Sequence, residues 1–181
     1  MTHEPNAFNL RLGDPPQRAV VKLRPYLHQW VQQFIRCSPF VVLATSDGEA
    51  FCSASPRGGR PGFVRVLSDT QLLLPDEPGN QLFQSYANVS ASPAVGLLFL
   101  IPGVTYTVRV SGRAAAVNGD EFRRLADEGA AGESPLQGLL ITVSMAYGHC
   151  GRSLRHADLW NEETIARNRA QPPVPRREPG I

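Results

Sequence analysis

The stretch GRPGFVRVLSDTQLLLPDEPGNQLFQS, Gly59–Ser85, carries the densest information about the fold and its use. Gly62–Leu67 reads as a strand, Ser68-Asp69 as a turn and Leu72–Leu74 as a second strand. A Pro/Gly connector follows, with a helix starting at Asn80. Arg60 and Arg65 stand just before and on the first strand, while Gly79-Asn80 opens a helix whose first N–H groups lack intrahelical partners. Two guanidinium groups facing a helix N-terminus favour a bound phosphate, since dipole and fixed donors both attract an anion. The same spacing also suits a surface hairpin whose arginines are merely solvated.

Working outward, residues 1–23 are polar, contain Asp14-Pro15-Pro16, and read as an N-terminal arm. Leu27, Trp30, Val31, Phe34 and Ile35 then recur at i, i+3, i+4, i+7 and i+8, one apolar stripe of an amphipathic helix. That spacing assigns Trp30 to the core. Ser38-Pro39 stops the helix, because the residue before proline avoids the helical region. Phe40–Thr45 is a short β-branched run, Asp47-Gly48 the turn, and Ala50–Ser55 the strand that pairs back. Pro56-Arg57-Gly58-Gly59 reads as a mobile corner, which makes residues 40–74 an antiparallel meander of four strands.

Beyond the central stretch, a helix over 80–91 would turn Leu82, Phe83, Tyr86 and Val89 inward. Ala94–Ile101 is apolar enough for a strand buried on both faces. Thr105–Val117 and Leu139–Ala146 are further strands, with Asn118 or Asp120 capping a helix over Glu121–Glu128. Residues 129–135 form a loop, Arg152 to Trp160 a helix, and the tail from Ala170 is Pro-rich. The expected architecture is mainly β with flanking helices: six or seven antiparallel strands in sequential order, forming a small barrel between the arm (1–23) and the tail (170–181).

The chain has 181 residues, 42% hydrophobic and 19% charged, enough for one ordinary core. A net charge of +2 gives no basic field for nucleic acid or a membrane surface. Its three cysteines, at 37, 52 and 150, make no disulfide framework and suit a reducing cytoplasm. No apolar run reaches the roughly 18 residues of a membrane span, and the N-terminus lacks a signal-peptide core. Neighbouring His149 and Cys150 do not point at each other as a nucleophile and base must. With Cys52 they also lack zinc-ligand spacing, so no metal is expected.

Six segments in order resemble the pyridoxamine 5'-phosphate oxidase-like, FMN-binding split-barrel family. They are SPFVVLATSDGE (38–49), SPRGGRPGFVRVL (55–67), LLLPDEPGN (72–80), SPAVGLLFLIPG (92–103), VRVSGRA (108–114) and HC…LW (149–160). The resemblance, closest to a bacterial subgroup of uncertain substrate, implies a split barrel over 24–169 and FMN as cofactor. It implies that Val64 and Val66 run under the flavin, that Arg60 and Arg65 hold phosphate and ring, and that Pro75 and Asp76 pass the ring edge. Asn80 and Gln81 fall beside the phosphate. Relatives commonly carry basic residues where Gln81 and Leu82 stand. Each neutral replacement costs about 1–2 kcal/mol, or roughly ten-fold in affinity.

The resemblance also implies a homodimer with the ligand between two barrels. Trp160 then packs either across that interface or within its own core. The implied activity is an FMN-dependent oxidoreductase acting on a small molecule, with a nicotinamide donor. The alternatives are a non-enzymatic module for flavin, haem or another planar ligand, and a barrel kept only for protein contacts. The Arg- and His-containing C-terminal motif that grips pyridoxal phosphate is not recognisable, so oxidation of pyridoxamine phosphate itself is not expected.

Overall fold

The computed structural model describes residues 13, 16–76, 83–126 and 137–174; the side chains of Arg18 and Ala19 are outside that description. Among the described residues seven strands form one antiparallel sheet: β1 (Phe40–Ser46), β2 (Cys52–Gly58), β3 (Arg65–Val66), β4 (Gln71–Pro75), β5 (Ala94–Leu100), β6 (Thr107–Asn118) and β7 (Gln137–His149). The helices are α1 (Gln17–Val20), α2 (Gln29–Cys37), α3 (Gln84–Ala91), α4 (Gly119–Ala126), α5 (Arg152–His156) and α6 (Glu162–Ala170). The chain is therefore mainly β with flanking helices, as the resemblance implies.

Strand order is β2-β1-β5-β6-β7-β4-β3, which corrects the expected sequential meander. The β1–β2 hairpin lies at one edge of the sheet and the β3–β4 hairpin at the other. Between them the β6–β7 ladder runs from Thr107–His149 to Asn118–Gln137, with an irregularity at Ser111/Gly112. There a side chain on Gly112 would lie 2.2 Å from the Thr142 carbonyl oxygen, so only glycine fits. Alternation puts Val41, Leu43, Val95, Leu97, Phe99, Val108, Val110, Leu139 and Ile141 on the inner face. α2 adds Val31, Phe34 and Ile35 to this core, and α3 adds Val89.

Several boundaries differ from the sequence pattern, each for a physical reason. The strand expected over Gly62–Leu67 shortens to Arg65–Val66, because Pro61 and Gly62 (φ 85°) make a turn in which the Phe63 N–H donates to the Arg60 carbonyl. β2 instead continues through Pro56-Arg57-Gly58, the supposed corner; an edge strand tolerates the missing N–H of Pro56. β5 alternates between buried and half-buried residues, so only one of its faces is fully covered. α2 begins at Gln29, and Leu27 precedes it, buried, with its N–H on the Asp69 carbonyl. Trp30 is 46% exposed rather than core: its indole lies over Gly148, where a Cβ would come within 2.9 Å.

At the N-terminus α1 and the bridge between Arg24 and Ala146 bring the arm's end onto β7. The expected loop at 129–135 and the tail from 175 lie outside the described residues. The C-terminal helix breaks at 157–160, where Asp158 has φ 48°, and resumes as α6 with Asn161 capping the Thr164 N–H at 2.8 Å. Trp160 donates from Nε1 to the Val104 carbonyl of its own chain at 3.2 Å.

α3 is fastened to the sheet by a polar knot. Asn88 Nδ2 donates to Thr45 Oγ1 at 2.9 Å and to Ser53 Oγ at 3.2 Å, and those two hydroxyls lie 3.0 Å apart. Asn88 and Thr45 are buried, where losing a partner costs more than the bond itself contributes. Asn88→Ala should therefore destabilise the fold by about 1–3 kcal/mol. At roughly 2–4 °C per kcal/mol the melting temperature falls correspondingly; an unchanged midpoint in chemical denaturation would show that the knot does not fix α3.

Candidate functional site

β2 is the unusual strand of the sheet. Its outward residues Cys52, Ala54, Pro56 and Gly58 are exposed, and its inward residues Ser53, Ser55 and Arg57 are half-buried and polar. An inward polar row on an edge strand meets α3 rather than the apolar core. Ser53 joins the Asn88 knot; two positions beyond Ser55, Arg57 reaches the first turn of the helix, its Nη2 donating to Ser85 Oγ at 3.2 Å. Its Nη1 donates to the Pro56 carbonyl at 3.0 Å. Ser85 is 3% exposed, and no described residue accepts its O–H.

The N-terminus of α3 has no side-chain cap. Phe83 occupies the N-cap position at φ 50° and ψ 19°, a left-handed conformation that is unfavourable for a bulky residue. Its carbonyl accepts from the Tyr86 and Ala87 N–H groups, and its ring, 55% exposed, meets the Tyr86 ring edge-on at 6.5 Å. The N–H groups of Gln84 and Ser85 precede the first intrahelical bond and have no backbone acceptor among the described residues.

On the other side stands Asp76, just past β4. Its N–H donates to the Gln137 carbonyl at 3.0 Å, and its Oδ2 accepts from Gln137 Nε2 at 2.8 Å. Burial pushes the Tyr86 phenol well above the usual tyrosine range; the Asp76 carboxylate raises it further and the Arg57 guanidinium opposes both. Groups from opposite halves of the sheet thus act on the phenol with opposite sign. At the first turn of α3 stand a guanidinium and a buried hydroxyl, a pair suited to an anionic oxygen.

The residues singled out by sequence distribute unevenly around this site. Pro75 is buried at the end of β4 opposite Gly138, and Asp76 follows it, bonded to Gln137. Arg60 is exposed in the 60–63 turn. Val64 is 1% exposed and belongs to the core, with Val66 packed against it. Arg65 Nη1 donates to the Ala126 carbonyl of α4. Asn80 and Gln81 lie outside the described residues, and the described helix starts at Gln84 rather than Asn80. Arg57, which sequence reasoning passed over, is signalled by the period-2 row Ser53, Ser55, Arg57; reading Pro56 as a turn residue hid it.

His149 and Cys150 lie away from Arg57, at the end of β7. Each is exposed or half-exposed, and His149 Nδ1 is 3.1 Å from the Cys150 carbonyl oxygen. They border an open groove of about 370 Å³ with Val20, Lys22, Leu23, Tyr147 and Gly148. Among the described residues no three His, Cys, Asp or Glu side chains gather as a metal site, and no helix is long and apolar enough to cross a membrane.

The family model described as pyridoxamine 5'-phosphate oxidase matches residues 27–150, more than half of the chain. The chain belongs to that family, whose split barrel is a flavin-binding type of fold. No curated protein matches it. Among solved structures, it is similar to HupZ of Group A Streptococcus at 16% identity and a TM-score of 0.51, over 66% of this chain and 91% of that one. A protein described as a putative pyridoxamine 5'-phosphate oxidase from Lactobacillus delbrueckii gives 18% identity and a TM-score of 0.52, over 68% and 95%. At such identities these likenesses establish the fold alone.

The geometry divides the arginines by task. Arg65→Ala should lower stability by about 1 kcal/mol, the worth of one hydrogen bond at a helix end, and leave flavin affinity within two-fold. A ten-fold loss of FMN binding at unchanged stability, measured by titration and denaturation together, would return Arg65 to the ligand.

Proposed function

We propose that this chain is an FMN-binding oxidoreductase of the pyridoxamine 5'-phosphate oxidase family acting on a small molecule, and that the flavin phosphate is held at the start of α3. The observation carrying this reading is the Arg57–Ser85 hydrogen bond at an uncapped helix N-terminus. A half-buried guanidinium beside open N–H groups fits a phosphate monoester better than it fits packing. Arg57, Ser85 and the first N–H groups of α3 would hold that phosphate, with Pro75 and Asp76 bordering the site. The flavin, when bound, supplies the two-electron chemistry, so no nucleophilic side chain is needed.

A second copy of the chain fits the outer face of the sheet. Opposite the core, the rows Pro56–Val42–Leu98 and Ala54–Ala44–Gly96 present only apolar or small side chains, half-buried or exposed. This apolar strip, bordered by the exposed Arg109 and Arg113 of β6, suits a two-fold interface. Light scattering at micromolar concentration should return twice the chain mass, and Leu98→Arg should halve it. A parent protein that scatters as a monomer removes the shared interface.

The purified protein should take up FMN with a visible band near 450 nm, a property of the flavin itself and an approximate position. Arg57→Ala should weaken FMN at least ten-fold, about 1.4 kcal/mol. Riboflavin, which lacks the phosphate, should lose less than two-fold. Equal losses for both ligands, or none, sink the phosphate assignment; failure of the parent to bind either flavin sinks the cofactor.

A further inference from the structure

We propose that the groove between the N-terminal arm and the end of β7 is a binding site for a small aromatic carboxylate. It lies away from Arg57 and does not rest on the flavin reading. Its walls are apolar or aromatic: Val20 and Leu23 from the arm, Tyr147 and His149 from β7, the last two with ring centroids 5.9 Å apart. The volume of about 370 Å³ falls in the range of small-molecule pockets. Behind Gly148 the indole of Trp30 fills the space where a side chain would stand, which gives the groove a solid back.

Two donors serve this space. Lys22 carries the one permanent charge among the described lining residues. The other donor is the backbone of Gly148. Ala146 exchanges both its N–H and its C=O with Arg24, so at that residue β7 points away from β6 and toward the arm. Gly148, two residues on, points the same way. The arm does not follow it: the Leu23 N–H turns back to the Val20 carbonyl, and no described residue of the arm pairs with the Gly148 backbone.

Charge decides which ligand suits the groove. Residues 16–27 of the arm, β6, and residues 137–157 contain no Asp or Glu, yet they include Lys22, Arg24, Arg109 and Arg152. Lys22, Arg24 and Arg152 form no ion pair with a described residue, and Arg109 donates to the Tyr147 hydroxyl at 3.3 Å. Cations without a counter-charge around an aromatic-walled groove favour a ring bearing one anionic group over a neutral or cationic ring. The ring would lie against Tyr147 and His149, and the carboxylate toward Lys22 and the Gly148 N–H. Ring burial then supplies affinity and the ammonium supplies selectivity.

The test follows the Gly148 amide of the full-length protein by nitrogen–proton NMR during titration with 2-naphthoate and with 2-naphthamide, its uncharged analogue. The expected result is a saturable shift with both, at least ten-fold tighter for naphthoate. In Lys22→Gln, an exposed substitution, the preference should shrink to within two-fold and the melting temperature should hold. Equal affinity for the two probes in the parent means an apolar groove only and overturns the inference. An unmoved Gly148 amide overturns it as well, and so does a naphthoate preference that survives in Lys22→Gln. Displacement of naphthoate by FMN would merge the two sites and overturn a separate groove; FMN binding alongside naphthoate upholds it.

Discussion

The structure depends on the seating of α3 against the sheet, where it packs on β1 and β6. β2 and β4 belong to opposite halves, separated by β1, β5, β6 and β7. Yet Tyr86 feels both Arg57 from β2 and Asp76 from the end of β4. What holds the helix there is mostly polar: the Asn88–Thr45–Ser53 knot and the Arg57–Ser85 bond. Val89 supplies the apolar part. A seam closed by hydrogen bonds has directional requirements that an oily one lacks, and it sets the helix N-terminus at a fixed place relative to both edges.

Polar closure carries a cost that the sequence had to meet. Inward serines and an arginine remove apolar burial from an edge that could have extended the core, at roughly 25 cal/mol per Å². The strand compensates little through Arg57, because a bond to a neutral hydroxyl at 3.2 Å is worth about 1 kcal/mol or less. Arg65 gives the contrast. It too is half-buried, and it donates to the Ala126 carbonyl of α4. Arg57 ties β2 to α3 through a single neutral hydroxyl, and the proposed anion would add a charged partner to that bond.

Much of this was legible in the chain itself, because strand period and turn chemistry are local. Asp47-Gly48 marks the first hairpin, and Asp47 caps it through the Glu49 and Phe51 N–H groups, which hold its carboxyl below the ordinary range. Ser38-Pro39 and Ser92-Pro93 end their helices as the proline rule demands. What local signals could not supply was pairing. Nothing in Gly59–Arg65 says that the next hairpin crosses to the far edge of the sheet, where Arg65 meets the Ala126 carbonyl of α4. Pro56 misled in the same way: its missing N–H suggests a break, but on an edge strand that donor faces no neighbour.

The neutral residues at 81 and 82 take a different meaning once Arg57 is placed. A phosphate cradle can draw its donors from the first turn of a helix, from the segment before it, or from a strand across from it, and the attraction depends on distance rather than on which element carries the charge. In the proposed site the guanidinium would come from β2 and the hydroxyl of Ser85 from the helix. Charge withdrawn from the segment before α3 is thus replaced in part by geometry on its far side. The Asp76 carboxylate works against a phosphate and favours a ligand whose remaining surface is neutral or donates a hydrogen bond. A flavin phosphate would match that distribution, with its charge at one end and N–H donors on its ring.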